Sequence, residues 1–281
     1  MAYKSILVYV NGSRHNGKRV QIAADLAVQH KAHLVGAAVT TLPPEFYMPG
    51  AFGANNTALS TYLDFTRETA RTALAAFEAT ARQAGVSSVE QRLIEDEAGY
   101  ALCLQSRYCD LVVLGQADPD EDTPDARPDM QEHVVMNSCR PVLLVPYAGR
   151  FASVGKRALI AWDGSAEATR AVTAALPLLA QADTVQVVLF NPKVGRDAHG
   201  ERPGSDIALY LARHGVKVEV SPQATPDELD VGNALLSHAA DFGADLIVMG
   251  AYGHSRFREI LLGGVTRTLF KSMVVPTLMA H

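Results

Sequence analysis

Apolar runs of five to seven residues recur along the chain, and the segments between them mostly carry helical periodicity. In the first half the runs are ILVYV (6–10), HLVGAAV (33–39), SVEQRLI (88–94), DLVVLG (110–115) and PVLLVP (141–146). In the second half they are ALIAW (158–162), VQVVLF (185–190), VKVEV (216–220), DLIVMG (245–250) and PTLMA (276–280). Near-continuous apolarity, rather than strict alternation, is the pattern of strands buried on both faces. Between the runs of the second half, helices are predicted at Ala166–Ala180, Asp206–His214, Asp227–Phe242 and Gly264–Ser272. Strand alternating with helix predicts an α/β class with a parallel sheet and helices on both faces. Ligands of such sheets bind beyond the carboxyl ends of the strands.

The pattern is written twice. KSILVYVNGS (Lys4–Ser13) aligns with KRALIAWDGS (Lys156–Ser165) at an offset of 152. CDLVVLG (Cys109–Gly115) aligns with ADLIVMG (Ala244–Gly250) at an offset of 135, and RPVLLVP with VPTLMAH at the same offset. Self-similarity of this kind marks a duplicated unit. The expected domains are 1–147 and 155–281, with the extra length of the first copy in LPPEFYMPGAFGANNTA. Each copy ends in an apolar β run, and an unpaired strand of that kind is an association liability.

Composition narrows the classes. With 48% apolar residues, 20% charged residues and a net charge of −5, the chain reads as an ordinary globular protein. A mildly acidic chain gives no electrostatic footprint for nucleic acid. No apolar run reaches the ~18–20 residues of a membrane span. Three cysteines without metal-ligand spacing point to reduced thiols and a cytoplasmic home. The nine histidines show no HxxxH spacing, so no metal site is expected. Nor does any strand end carry paired carboxylates, a nucleophile motif or a triad, so no catalytic residue is assigned.

The candidate chemistry lies in GAYGHSRFREILLGG (Gly250–Gly264), which follows the apolar run of the second copy. Glycines let backbone approach a ligand closely, and a helix N-terminus offers free amides to an anion. A Walker lysine loop and a GxGxxG fingerprint are both absent. Together with WDGS after the first strand and the closing VPTLM, this segment resembles the universal stress protein family in its tandem two-domain form. The nucleotide-binding branch of that family carries glycine, two residues, glycine, nine residues, then glycine and Ser or Thr. Gly250, Gly253 and Gly263 match, and Gly264 stands where the hydroxyl residue is expected.

The resemblance implies two Rossmann-like domains of the adenine nucleotide α-hydrolase type, each a five-stranded parallel sheet of order 3-2-1-4-5. It also implies ATP, with or without Mg²⁺, over the ends of strands one and four. Ala161, Trp162 and Asp163 would flank adenine and ribose, and Phe190 would offer backbone to the base. Met249, Gly250 and Gly253 would face ribose and phosphates. Gly263, Gly264, Val265 and Thr266 would supply a helix N-terminus beneath the phosphates. Losing the hydroxyl at Gly264 removes a hydrogen bond worth about 1.5–3 kcal/mol. Asp163 would equally serve an ordinary turn, Trp162 ordinary packing, and His254, Arg256 and Arg258 a solvated loop. The implied role is an ATP-binding stress-response regulator. The alternative is a scaffold of the same fold acting through protein contacts, and an α-hydrolase enzyme would need a motif that is missing. The resemblance further implies an intrachain pseudo-dimer through the closing strands, with a homodimer also expected.

In the first copy, Gly253 maps to Asp118, Gly263 to Pro128 and Gly264 to Asp129. Proline removes a backbone donor, Asp129 is a favourable N-cap, and QADPDEDTPDARPD adds negative charge. Asn11 replaces Asp163. The first copy is therefore expected to hold no nucleotide.

Overall fold

The structure, a computed structural model, describes residues 2–41, 57–121, 128–192, 202–226, 230–252 and 259–281. The expected extra segment at 42–56 lies outside them. The chain forms two compact units, Ala2–Arg140 and Pro141–His281.

The first unit runs β1 Ser5–Val10, α1 Asn16–His30, β2 His33–Thr40, α2 Thr57–Ala84, β3 Val89–Glu95, α3 Ala98–Ser106, β4 Leu111–Gly115 and α4 Pro128–Asn137. Its strands lie in the order β3-β2-β1-β4, all parallel. Ile6 to Val10 and Leu111 to Leu114 are buried, as strands covered by helices on both sides must be. On the covering layers α1 packs beside α2, and α3 beside α4.

The second unit runs β5 Val142–Val145, β6 Arg157–Ala161, α5 Ala166–Leu179, β7 Thr184–Phe190, α6 Ser205–Arg213, β8 Val218–Gln223, α7 Val231–Phe242, β9 Leu246–Gly250, α8 Glu259–Ser272 and β10 Thr277–Ala280. Strands β8-β7-β6-β9-β10 are parallel, which is the order 3-2-1-4-5 counted within this copy. Pro222, which has no amide donor, is tolerated because β8 is the outer strand. Strand β5, the closing run of the first copy, belongs to this unit and pairs antiparallel with β10, Leu143 opposite Leu278. Its four residues are all buried, so pairing there covers an apolar strand that would otherwise be exposed.

The Asp of each repeated DL motif has a structural role. Asp245 accepts hydrogen bonds from the amides of Gly155, Lys156 and Arg157 at 2.8–3.1 Å and from Ser153 Oγ at 2.6 Å. It thereby fixes the start of β6. Asp110 does the same for β1 through the amides of Lys4 and Ser5.

Helix α8 corrects an expectation. It starts at Glu259, not Gly264, so Gly263 and Gly264 lie inside it rather than at its free N-terminus. EILL supplies good helix formers that extend the periodicity toward the N-terminus, outweighing two unfavourable glycines. Gly264 faces α7: a Cβ there would stand 3.8 Å from Asp230 Oδ1. Asp230 caps α7 through the amides of Gly232 and Asn233 and accepts from Thr268 Oγ1 at 2.8 Å. Helix α4 likewise begins at Pro128, placing Asp129 in its first turn rather than at its cap. Proline at the first helical position loses only an amide that would be unpaired in any case. Among the described residues, no helix is long and apolar enough to cross a membrane.

Candidate functional site

In each unit the first and fourth strands of the copy are neighbours, so their carboxyl ends open onto one crevice. In the first unit that crevice is filled by the protein's own side chains. Arg19, on the second turn of α1 and 4% exposed, reaches back over the strand ends. Its Nε donates to the Tyr9 carbonyl at 2.7 Å, and its Nη2 to Asn11 Oδ1 and Asn16 Oδ1 at 2.8 and 2.9 Å. The guanidinium lies 5.5 Å from the centre of the buried Tyr9 ring. Gly115 gives it room, since a Cβ at that position would sit 2.4 Å from Arg19 Nη1.

Beside it, the turn after β1 is joined to the segment after β4. Asp118 is buried, with its side chain 2% exposed, and forms an ion pair with Arg14. His15 Nε2 lies 2.8 Å from the same carboxylate oxygen, and the amide of Asp120 donates to the other at 3.0 Å. The Arg14 bond, seconded by His15, holds the Asp118 carboxyl well below the usual carboxylate range. Glu121 accepts from Ser13 Oγ at 2.7 Å and from the Arg14 amide at 2.8 Å. His15, Asp118 and Glu121 bring ligand-type atoms within 4.8 Å of one another. The place a cation would take beside Asp118 is held by Arg14. What remains of the crevice is a cavity of about 20 Å³, lined by Tyr9, Asn11, Arg19, Asp118 and Gln131 among others. That is room for one or two waters.

To the expected electrostatic exclusion of nucleotide from this copy the structure adds a steric contribution. Asp118 is neutralised by Arg14, and steric filling by Arg19 and the Asp118 network closes the crevice. Residues 122–127, with the rest of the acidic run, lie outside the described residues.

The second unit brings Ala161, Trp162, Asp163, Met249 and Gly250 together at adjacent strand ends. Ala161 ends β6 and pairs with Met249, while Met249 and Gly250 close β9. The Trp162 amide donates to the Val188 carbonyl at 2.9 Å, which keeps the β6 chain extended past its end. Asp163 sits in the following turn. Its Oδ1 accepts from the amide and hydroxyl of Ser165 at 3.0 and 2.6 Å, and Ser165 Oγ in turn caps α5 at Ala168. Both readings of Asp163 meet here: it holds a turn, and the turn stands at the crevice. Phe190 ends β7, one strand away, and packs edge-on to His238 at 6.4 Å. Gly250 accommodates the first turn of α5, because a Cβ would lie 2.5 Å from the Ala168 amide nitrogen. Val265 and Thr266 are buried within α8. Gly253, His254, Arg256 and Arg258 lie outside the described residues.

The two copies differ most where the first is plugged. At the offset of 152, Tyr9 corresponds to Ala161, Arg14 to Ala166 and Arg19 to Ala171. Tyr9 and Arg19, which line the first crevice, and Arg14, which pairs with Asp118 beside it, are all alanines in the second. His15 corresponds to Glu167, whose carboxylate is buried and accepts from Arg170 at 2.8 Å. The plug could have been found in the sequence by reading these aligned positions for volume.

The universal stress protein family model matches residues 2–146 and again 155–281. Universal stress protein Slr1230 of Synechocystis is 27% identical over 216 residues, covering 74% of this chain and 71% of that protein. A universal stress protein from Archaeoglobus fulgidus has a similar solved structure, with a TM-score of 0.74 at 17% identity over 98% of this chain and 95% of that one. A functionally unknown protein from Pseudomonas aeruginosa PAO1 follows at 0.58 and 16%, over 99% and 92% of the two chains. With the family model matched twice, over nearly the whole sequence, on the fold that its repeated strand pattern predicts, the chain belongs to the universal stress protein family.

Proposed function

We propose that the chain is a nucleotide-binding regulatory protein that holds one ATP, at the strand ends of its second copy. The observation that carries this reading is the contrast between the copies: Tyr9 and Arg19 line the filled first crevice, and the residues aligned with them in the second copy are Ala161 and Ala171. Small side chains at a strand-end crevice fit a flat base and ribose. Asp163 would accept from a ribose hydroxyl through Oδ2, since Ser165 bonds Oδ1. ATP, with or without Mg²⁺, would supply the charge and shape that a partner reads. The chain's residues bind and orient it. Rapid hydrolysis would need a positioned base and transition-state charge stabilisers, and no such set is assigned. A cytoplasmic location accords with the free thiols of Cys103, Cys109 and Cys139.

A second reading has its own support. Gly250 gives room to the first turn of α5, so one of the signature glycines has a packing role without a ligand. That favours a scaffold acting through protein contacts. The test is titration calorimetry of the full chain with ATP, ADP and AMP, beside Ala171→Arg, which copies Arg19 into the second crevice. Binding that Ala171→Arg removes supports the nucleotide reading. No heat at millimolar nucleotide favours the scaffold.

A further inference from the structure

Helix α3 and its partner in the second copy, α7, are the same element twice. At an offset of 133, Glu97 and Asp230 both cap their helices, each through two amides. Gly99 then corresponds to Gly232, Ala101 to Ala234 and Leu102 to Leu235. The outward positions have diverged. Tyr100, Leu104 and Tyr108 follow one another at intervals of four, on one face of α3 and the turn that continues it. They are 60%, 39% and 74% exposed. Their counterparts are Asn233, Ser237 and Asp241, also exposed but polar. The duplicated helix shows that the fold itself asks for no apolar residue at these positions. An apolar face kept in one copy alone points to something that covers it.

The ends of α3 say what. Exposed Asp96 and Glu97 stand at its N-terminus, and exposed Arg107 at its C-terminus, without an ion pair among the described residues. Such a helix is complementary to itself reversed. Two copies laid antiparallel across a two-fold axis at Leu104 bring Tyr100 of each opposite Tyr108 of the other. At 1.5 Å per residue, Arg107 then lies about 6–8 Å along the axis from the opposing Glu97 and Asp96, within reach of an arginine side chain. The dipoles also oppose favourably. An isologous contact of this kind repeats each pairing twice.

We propose that the α3 face of the first copy is a self-association surface, on which a second copy of this chain docks antiparallel through Tyr100, Leu104 and Tyr108. The stripe is short, so the contact falls below the roughly 1,200 Å² of a standard interface and is weak and reversible. This inference is independent of nucleotide binding and of the β5–β10 pairing.

Sedimentation velocity of the full chain, from about 10 to 300 μM as suits a weak contact, tests it. The weight-average mass should rise from 30.1 kDa toward twice that value with concentration. The triple variant Tyr100→Asn, Leu104→Ser, Tyr108→Asp installs residues that the equivalent helix already carries. It should keep its helical circular dichroism and remain at the monomer mass. A second set guards against a folding defect: Arg107→Glu should weaken association, and adding Asp96→Lys should restore it. A wild-type chain that stays monomeric at the highest concentration overturns the proposal. So does a triple variant that associates as strongly as wild type, or an indifferent charge reversal.

Discussion

Single residues carry most of the difference between the two crevices. Asp118 is the clearest case, since its buried carboxylate joins the turn after β1 to the segment after β4 through Arg14 and His15. Its folded-state pKa is depressed, so its stabilisation is complete above the unfolded value of about 3.9 and fades as pH falls below it. Asp118→Ala strands Arg14 and His15 and should cost about 1–3 kcal/mol in urea unfolding at pH 7. The difference from wild type should shrink toward pH 2.

His30 acts in a neighbouring pH window. It is buried edge-on against Tyr3, 4.9 Å between ring centres, with neither ring nitrogen hydrogen-bonded among the described residues. Burial lowers its pKa, so the unfolded chain binds the proton first. Stability from this residue is complete above about pH 6.5 and falls as pH drops below it. In His30→Leu the loss between about pH 6.5 and 5 should be smaller than in wild type, measured by denaturant midpoints. An unchanged slope would show that His30 does not carry it.

At the scale of elements, the inner strands are legible because a buried parallel strand leaves a nearly unbroken apolar run, while the outer strands β3 and β8 are half-buried and mix apolar with polar residues. The start of α8 was not legible, because Gly263 and Gly264 read as a helix boundary while EILL before them propagates helix equally well. The first copy's plug was missed for a different reason. Arg19 lies eight residues beyond Asn11 in sequence, and only the turn of α1 brings its guanidinium back over the strand ends. The loop charges predict repulsion, and the packed side chains add volume. Glycine substitutions separate packing from ligand roles. A Cβ at Gly264 meets only ordinary contact, so Gly264→Ala should raise stability by about 0.5–1 kcal/mol, as in any helix interior. A Cβ at Gly250 would press on the α5 backbone, and Gly250→Ala should lower stability by about 1–3 kcal/mol. Thermal melts of the two variants in the absence of nucleotide decide both. The reverse ranking would mean that the helix α8 and β9 contacts are misjudged.

Over the whole molecule, duplication produced two copies of one strand-end crevice and then made them unlike. Both keep the clamp of the DL motif, Asp110 in one and Asp245 in the other, because it holds the first strand and hence the fold. Asp245→Ala removes four hydrogen bonds and should destabilise by several times the ~1 kcal/mol of a single one. Function is free to diverge beyond the strand ends, where Arg19 closes one crevice and Ala171 stands in the other. The most direct measurement is the number of nucleotides bound per full-length chain, by calorimetry with ATP at saturating concentration. The account predicts one equivalent for wild type, one for Asp118→Ala and none for a folded Ala171→Arg. Two equivalents in wild type, or one that survives Ala171→Arg, would contradict it.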